Sequence, residues 1–193
     1  MIDPVRYCFT RKNAVDSGFL RYVADLTARN EHMFQVNERG SARKFLKIEN
    51  ANADGDEILF GAKQDLAEYF GLGNYVVPPA LKDFIGHITE GGFIHPHTDP
   101  DLPGRTHVRV NVLITQPAGC IPLIEGVPIA VEVGDAWLNL ASRCTHATTP
   151  VEGPGYRSAI SFGYQISPRR GDELHDIHKA WLSRIREEFV ALA

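Results

Sequence analysis

Cysteine is scarce in this chain of 193 residues: three thiols, Cys8, Cys120 and Cys144, odd in number and widely spaced. That excludes a disulfide framework, and the lack of any CxxC pair excludes the usual zinc-finger spacing. Free thiols fit a reducing compartment, so a cytoplasmic setting is expected. Long apolar runs are also missing. No stretch approaches membrane-spanning length, and the first residues (MIDPVRYCFTRKNAVDSG) hold no apolar segment of the signal-peptide kind. An excess of basic charge is lacking too. The net charge of −4 argues against nucleic acid or an anionic membrane as the main partner. A mild basic cluster, Arg39, Arg43, Lys44 and Lys47, reads as a solvated helix face. There is no internal repeat and no low-complexity segment.

What is present suffices for one core. The hydrophobic content of 44% is that of an ordinary globular domain. One domain over 1–193 is expected, with 1–83 as helical support, 84–167 as a β core and 172–192 as a closing helix. Residues 14–30 place Val15, Phe19, Tyr22, Val23 and Leu26 at helical spacing, with Asp16 or Ser17 as the start. Phe45, Leu46 and Ile48 are candidate core contacts. The polar stretch NANADGD (50–56) lacks the ligand spacing of a calcium loop and reads as a turn. Residues 62–71 form a second helical pattern stopped by Gly71. In the closing helix Leu174, Ile177, His178, Trp181, Leu182, Ile185 and Phe189 recur at three and four, after a candidate cap at Asp172.

From Phe84 the pattern is that of strands. Segments 84–89 and 93–99 flank a Glu90-Gly91-Gly92 turn. Residues 107–115 (HVRVNVLIT) alternate, with Val108, Val110, Val112 and Ile114 on one face and His107, Arg109, Asn111 and Leu113 on the other. Residues 121–133 read as a hairpin around Glu125-Gly126. Residues 136–140 and 156–166 are further strands. Many short strands with regular turns predict a mainly β jelly-roll or barrel with flanking helices.

The chemistry lies between His97 and Arg157. In a strand His97 and Asp99 point to one face, so one imidazole and one carboxylate can meet one ion. His146, from a later strand, would complete a two-histidine, one-carboxylate set of the kind that holds ferrous iron with open positions. His95 would share that face in a regular strand and competes as a ligand. By itself a lone His such as His146 is more often a buried imidazole on a backbone carbonyl. Arg157, eleven residues beyond His146, suits a two-pronged contact with a carboxylate, with Tyr156 or Ser158 adding a hydroxyl. An inward Arg109 would need an anionic partner, because an unpaired buried charge is costly. That partner could belong to a co-substrate or to an acidic group of the substrate.

Residues 88–99 (ITEGGFIHPHTD), 107–117 (HVRVNVLITQP), 133–140 (VGDAWLNL) and 144–158 (CTHATTPVEGPGYRS) resemble the iron(II)/2-oxoglutarate-dependent dioxygenase superfamily. The likeness is to prolyl-hydroxylase-like and aspartyl/asparaginyl-hydroxylase-like members, over about residues 84–166. It implies a double-stranded β-helix, a cupin-like jelly-roll barrel, buttressed by N-terminal helices and a C-terminal helix. It implies metal ligands His97, Asp99 and His146, with His97 rather than His95, and Arg157 on the far carboxylate of 2-oxoglutarate. Arg109, Asn111 and Ser158 are further co-substrate candidates; Asn111 stands where the aspartyl-hydroxylase-like members carry His. Ile88 stands where many prolyl-hydroxylase-like members carry Tyr, which turns expectation away from a prolyl substrate. The implied activity is hydroxylation of an unactivated C–H with Fe(II), 2-oxoglutarate and O2, giving succinate and CO2. A small-molecule substrate, acidic or zwitterionic, is expected, with His95 and Arg105 at the substrate side, in a monomer or homodimer. Two alternatives stand beside it: a cupin-like metal protein without 2-oxoglutarate chemistry, and a protein side-chain hydroxylase.

Overall fold

The structure is a computed structural model that describes residues 8–51, 53, 56–72, 76, 81–100, 103 and 105–166. The helix expected over 172–192 lies outside the described residues. Two antiparallel sheets face each other. The large one contains β1 (Cys8–Arg11), β2 (Gln35–Val36), β3 (Gly40–Lys47), β4 (Phe84–Ile94), β5 (Thr106–Thr115), β8 (Ala136–Asn139) and β10 (Tyr156–Ile166), in the order β1-β8-β5-β10-β4-β3-β2. The small one is β7-β6-β9, from β6 (Pro122–Ile124), β7 (Val127–Pro128) and β9 (His146–Thr148).

Alternation on the central strands assigns the two faces of the large sheet. Val108, Val110 and Val112 of β5 are fully buried with Ile160 and Phe162 of β10 in the main core. Each such side chain contributes about 1.5–3 kcal/mol of transfer free energy. That core also holds Val23 and Leu26 of helix α1 (Ser17–Arg29) and Leu59 and Leu66 of α2 (Glu57–Tyr69). Asp16 caps α1 by accepting from the Phe19 N–H at 2.8 Å, and Asp56 caps α2 by accepting from the Ile58 and Leu59 N–H groups. Arg109, Asn111, Ala159 and Ser161 alternate onto the opposite face and look across a cavity at β6 and β9.

Four expectations change. The basic cluster lies on or beside strand β3 and forms no helix face; Arg43 points inward and is 8% exposed. Residues 1–83 are not only helical support, because β1, β2 and β3 extend both edges of the large sheet. The second helix begins at Glu57, one turn or more before the expected start, because the Asp56 cap outweighs the interruption at Gly61. Residues 90–92 do not turn the chain between two strands. β4 runs through them, and the register with β3 steps from Ser41↔Phe93 to Arg43↔Ile88 across a bulge. Gly91 absorbs the bulge at φ 70°, and Gly92 packs where a Cβ would lie 2.7 Å from the Ser41 carbonyl oxygen.

Candidate metal centre and its cavity

His97 and His146 face each other as a reciprocally bonded pair. The His146 N–H donates to the His97 carbonyl at 2.9 Å, and the His97 N–H donates to the His146 carbonyl at 3.2 Å. Their rings therefore leave the backbone on one side, with centroids 4.3 Å apart. The Asp99 N–H donates to the Ala141 carbonyl at 2.8 Å, which brings its carboxylate to the same place. Ligand atoms of His97, Asp99 and His146 lie within 4.8 Å of one another. The Nδ1 of His97 is 2.7 Å from the His95 carbonyl oxygen, and that of His146 is 3.2 Å from the Cys144 carbonyl oxygen. A carbonyl only accepts, so each Nδ1 carries the proton and each Nε2 keeps its lone pair for an ion.

Burial pushes both imidazoles down, His146 to about 4, so both are neutral at pH 7. Burial would raise the Asp99 carboxyl, but His146, His107, Arg109 and Arg39 outweigh it and hold it below the usual carboxylate range. An Arg39 Nη1 donates to Asp99 Oδ1, and His107 Nδ1 lies 3.7 Å from Asp99 Oδ2. Two neutral imidazoles and one carboxylate form the donor set that suits a divalent transition metal.

Arg157 stands in the same cavity and is 5% exposed. Its guanidinium carbon sits 5.4 Å from the Trp137 ring centroid, and its buried Nε has no hydrogen-bond partner. No carboxylate pairs with it among the described residues. Burial lowers its affinity for a proton, yet guanidinium stays charged at neutral pH. A buried cation with free donors facing a metal-ligand set fits a dicarboxylate that reaches both.

No protein-family model matches the sequence, and no curated protein matches it. Solved structures do. A prolyl hydroxylase from Trichoplax adhaerens, in complex with a hypoxia inducible factor peptide fragment, aligns at TM-score 0.64 and 16% identity, over 82% of this chain and 83% of that one. A viral collagen prolyl hydroxylase from Paramecium Bursaria Chlorella virus-1, in its 2-oxoglutarate complex, aligns at 0.66 and 10% identity, over 83% and 96%. HygX from Streptomyces hygroscopicus, with nickel and 2-oxoglutarate bound, aligns at 0.61 and 13%, over 84% and 83%. This chain has the double-stranded β-helix fold of the 2-oxoglutarate/iron(II) oxygenases.

Within that oxygenase fold, the other expected residues separate. Arg109 and Asn111 line the cavity, which settles the facing of β5. The Asn111 side-chain amide donates to Asn139 Oδ1 at 3.2 Å. Ser158 does not line it. Next to Arg157 on a strand, it points to the opposite face, and its N–H donates to Thr115 Oγ1 at 2.8 Å. Ser161, four residues from Arg157, is the serine that lines the cavity. His95 does not line it either. β4 ends at Ile94, so the regular alternation stops before His95, whose ring is exposed against Phe93. Arg105 is turned away, donating to Gln165 Oε1 at 2.7 Å. Arg39 and Arg43 are the charged cavity residues absent from the expected site, and Ser161 and Asn139 are polar ones.

Proposed function

We propose that this chain is an oxygenase that uses ferrous iron, 2-oxoglutarate and dioxygen to hydroxylate an unactivated C–H of a small molecule, such as an amino acid or related metabolite, with succinate and CO2 as co-products. Arg157 carries the reading: a buried cation without a carboxylate partner among the described residues, in the cavity that holds His97, Asp99 and His146. Those three residues would hold the iron through Nε2, Nε2 and a carboxylate oxygen. Iron bound there with its co-substrate supplies the oxidising power for C–H hydroxylation. The Arg157 guanidinium binds and orients the far carboxylate. The carbonyls of His95 and Cys144 fix the imidazole tautomers. Leu123, Ile124 and Trp137 form apolar walls that exclude water from that end.

The cavity of about 190 Å3 between the two sheets supports a small-molecule substrate. The test is conversion of 2-oxoglutarate to succinate under air with ferrous iron, followed by NMR. The expected result is iron-dependent succinate formation that disappears in His146→Ala. Iron-independent formation, or equal formation in His146→Ala, would contradict the proposal.

A further inference from the structure

The described residues lining the cavity carry four guanidinium groups, Arg39, Arg43, Arg109 and Arg157, against one carboxylate, Asp99. His97 and His146 add no charge as ligands, because an imidazole that coordinates a metal is neutral. On the reading that iron and 2-oxoglutarate bind at this centre, a divalent cation and a dianion enter together and cancel. The excess of three positive charges remains, inside a chain whose net charge is −4. Outside that lining Arg109 also feels Asp83, which Lys63 already holds at 2.8 Å, so the cavity still carries more cation than anion and favours a further anion.

The arginines are not clustered at one end. Arg157 is the second residue of β10 and lies against Trp137; Arg43 feels its charge and is lowered to about 10, by burial first and Arg157 second. Arg109 pairs in register with Gly163, six residues along β10 from Arg157, or roughly 20 Å of extended chain. It thus lies along the cavity from Arg157, close enough to Asp99 to feel its charge. Its guanidinium stacks over Phe84 at 5.0 Å and donates from Nη1 to the Lys82 carbonyl at 2.8 Å, while its buried Nε has no partner among the described residues. The position is built: a Cβ on Gly163 would lie 2.5 Å from Arg109 Nη1, so only glycine leaves the guanidinium its space. Arg39, half exposed at the mouth, holds Asp99 and adds to the same field.

We propose that Arg109, with Arg39 at the mouth, is the recognition site for an oxyanion on the substrate, a carboxylate or a phosphate, apart from Arg157 along the cavity. The substrate class is then an anionic small molecule, presented with its anionic group on Arg109 and its reacting carbon toward the His97, Asp99, His146 centre. Arg109 serves the substrate and not the co-substrate.

The test is calorimetry without oxygen on protein already loaded with ferrous iron and 2-oxoglutarate, the loading confirmed by the visible band of the chelate. Inorganic phosphate and acetate are titrated separately. The expected result is saturable one-site binding of at least one anion, and which anion binds tells phosphate from carboxylate. In Arg109→Gln that binding falls at least about tenfold, the worth of one charge-assisted contact, while the affinity for 2-oxoglutarate stays as in wild type. Arg109→Lys, which keeps the charge, recovers part of the loss and guards against a folding artefact. Binding of neither anion, or equal binding by Arg109→Gln, overturns the proposal. So does loss of 2-oxoglutarate affinity in Arg109→Gln, which would return Arg109 to the co-substrate. A wild-type protein that forms no chelate band refutes the underlying oxygenase reading instead, and that is seen before any anion is added.

Discussion

Replacing Arg157 by methionine should separate a binding role from a structural one. The guanidinium is 5% exposed and lacks an ion pair among the described residues. Its burial costs several kcal/mol, offset by a cation–π contact with Trp137 worth about 2 kcal/mol. Methionine fills much of the volume without the charge. The ligand-free variant should therefore be more stable by about 1–2 kcal/mol, or about 2–8 °C in Tm for a chain of this size. Binding of 2-oxoglutarate should move the other way. Two charge-assisted hydrogen bonds at about 1.5–3 kcal/mol each correspond to a loss of roughly 10²–10⁴ in affinity. Thermal unfolding with and without metal and 2-oxoglutarate reads both quantities in one experiment. A ligand-free variant that loses several kcal/mol would mean that Arg157 is a structural cation. A variant that binds 2-oxoglutarate as wild type does would mean that the anchor lies elsewhere.

Burial first, then Arg109 for His107 and His97 for His146, pushes these two imidazoles down to about 4. The unfolded chain takes up those protons near pH 6.5, so their contribution to ligand-free stability is present above pH 6.5 and lost as pH falls toward 4. Urea unfolding across that window should show a slope of about two protons, and a flat profile would refute neutral burial. Gly92→Ala places a Cβ 2.7 Å from the Ser41 carbonyl oxygen and 2.8 Å from Ile88 Cγ2. It should cost about 1–3 kcal/mol in the same assay, by forcing the β4 bulge to shift. Asp16→Ala removes the acceptor for the Phe19 N–H and should cost about 1 kcal/mol of chemical stability.

Much of the scaffold was readable because local pattern and burial agree. The valines of β5 alternate over a run long enough to fix the period, though only the structure fixes the facing, and β10 spans the residues expected for it, 156–166. His97, Asp99, His146 and Arg157 were found as a spacing of chemically paired types, and the structure brings them to one cavity. What was misread depends on partners distant in sequence. Arg43 points inward on β3 only because β3 pairs with β4 across a bulge set by Gly91 and Gly92. Charges in GSARKFLK otherwise read as solvated. His95 was assigned to a face by an alternation that ends one residue earlier, at Ile94. Ser158 and Ser161 could have been told apart by counting twos from Arg157: a neighbour points away, and the fourth residue points back.

The most direct test of the account is an anaerobic titration of the metal-free protein with ferrous iron and then 2-oxoglutarate, followed by visible absorption. The account predicts a weak charge-transfer band that saturates at one 2-oxoglutarate per chain and is lost in His146→Ala. Iron binding without that band in the wild-type protein would contradict it and leave a metal protein of cupin-like fold without 2-oxoglutarate chemistry.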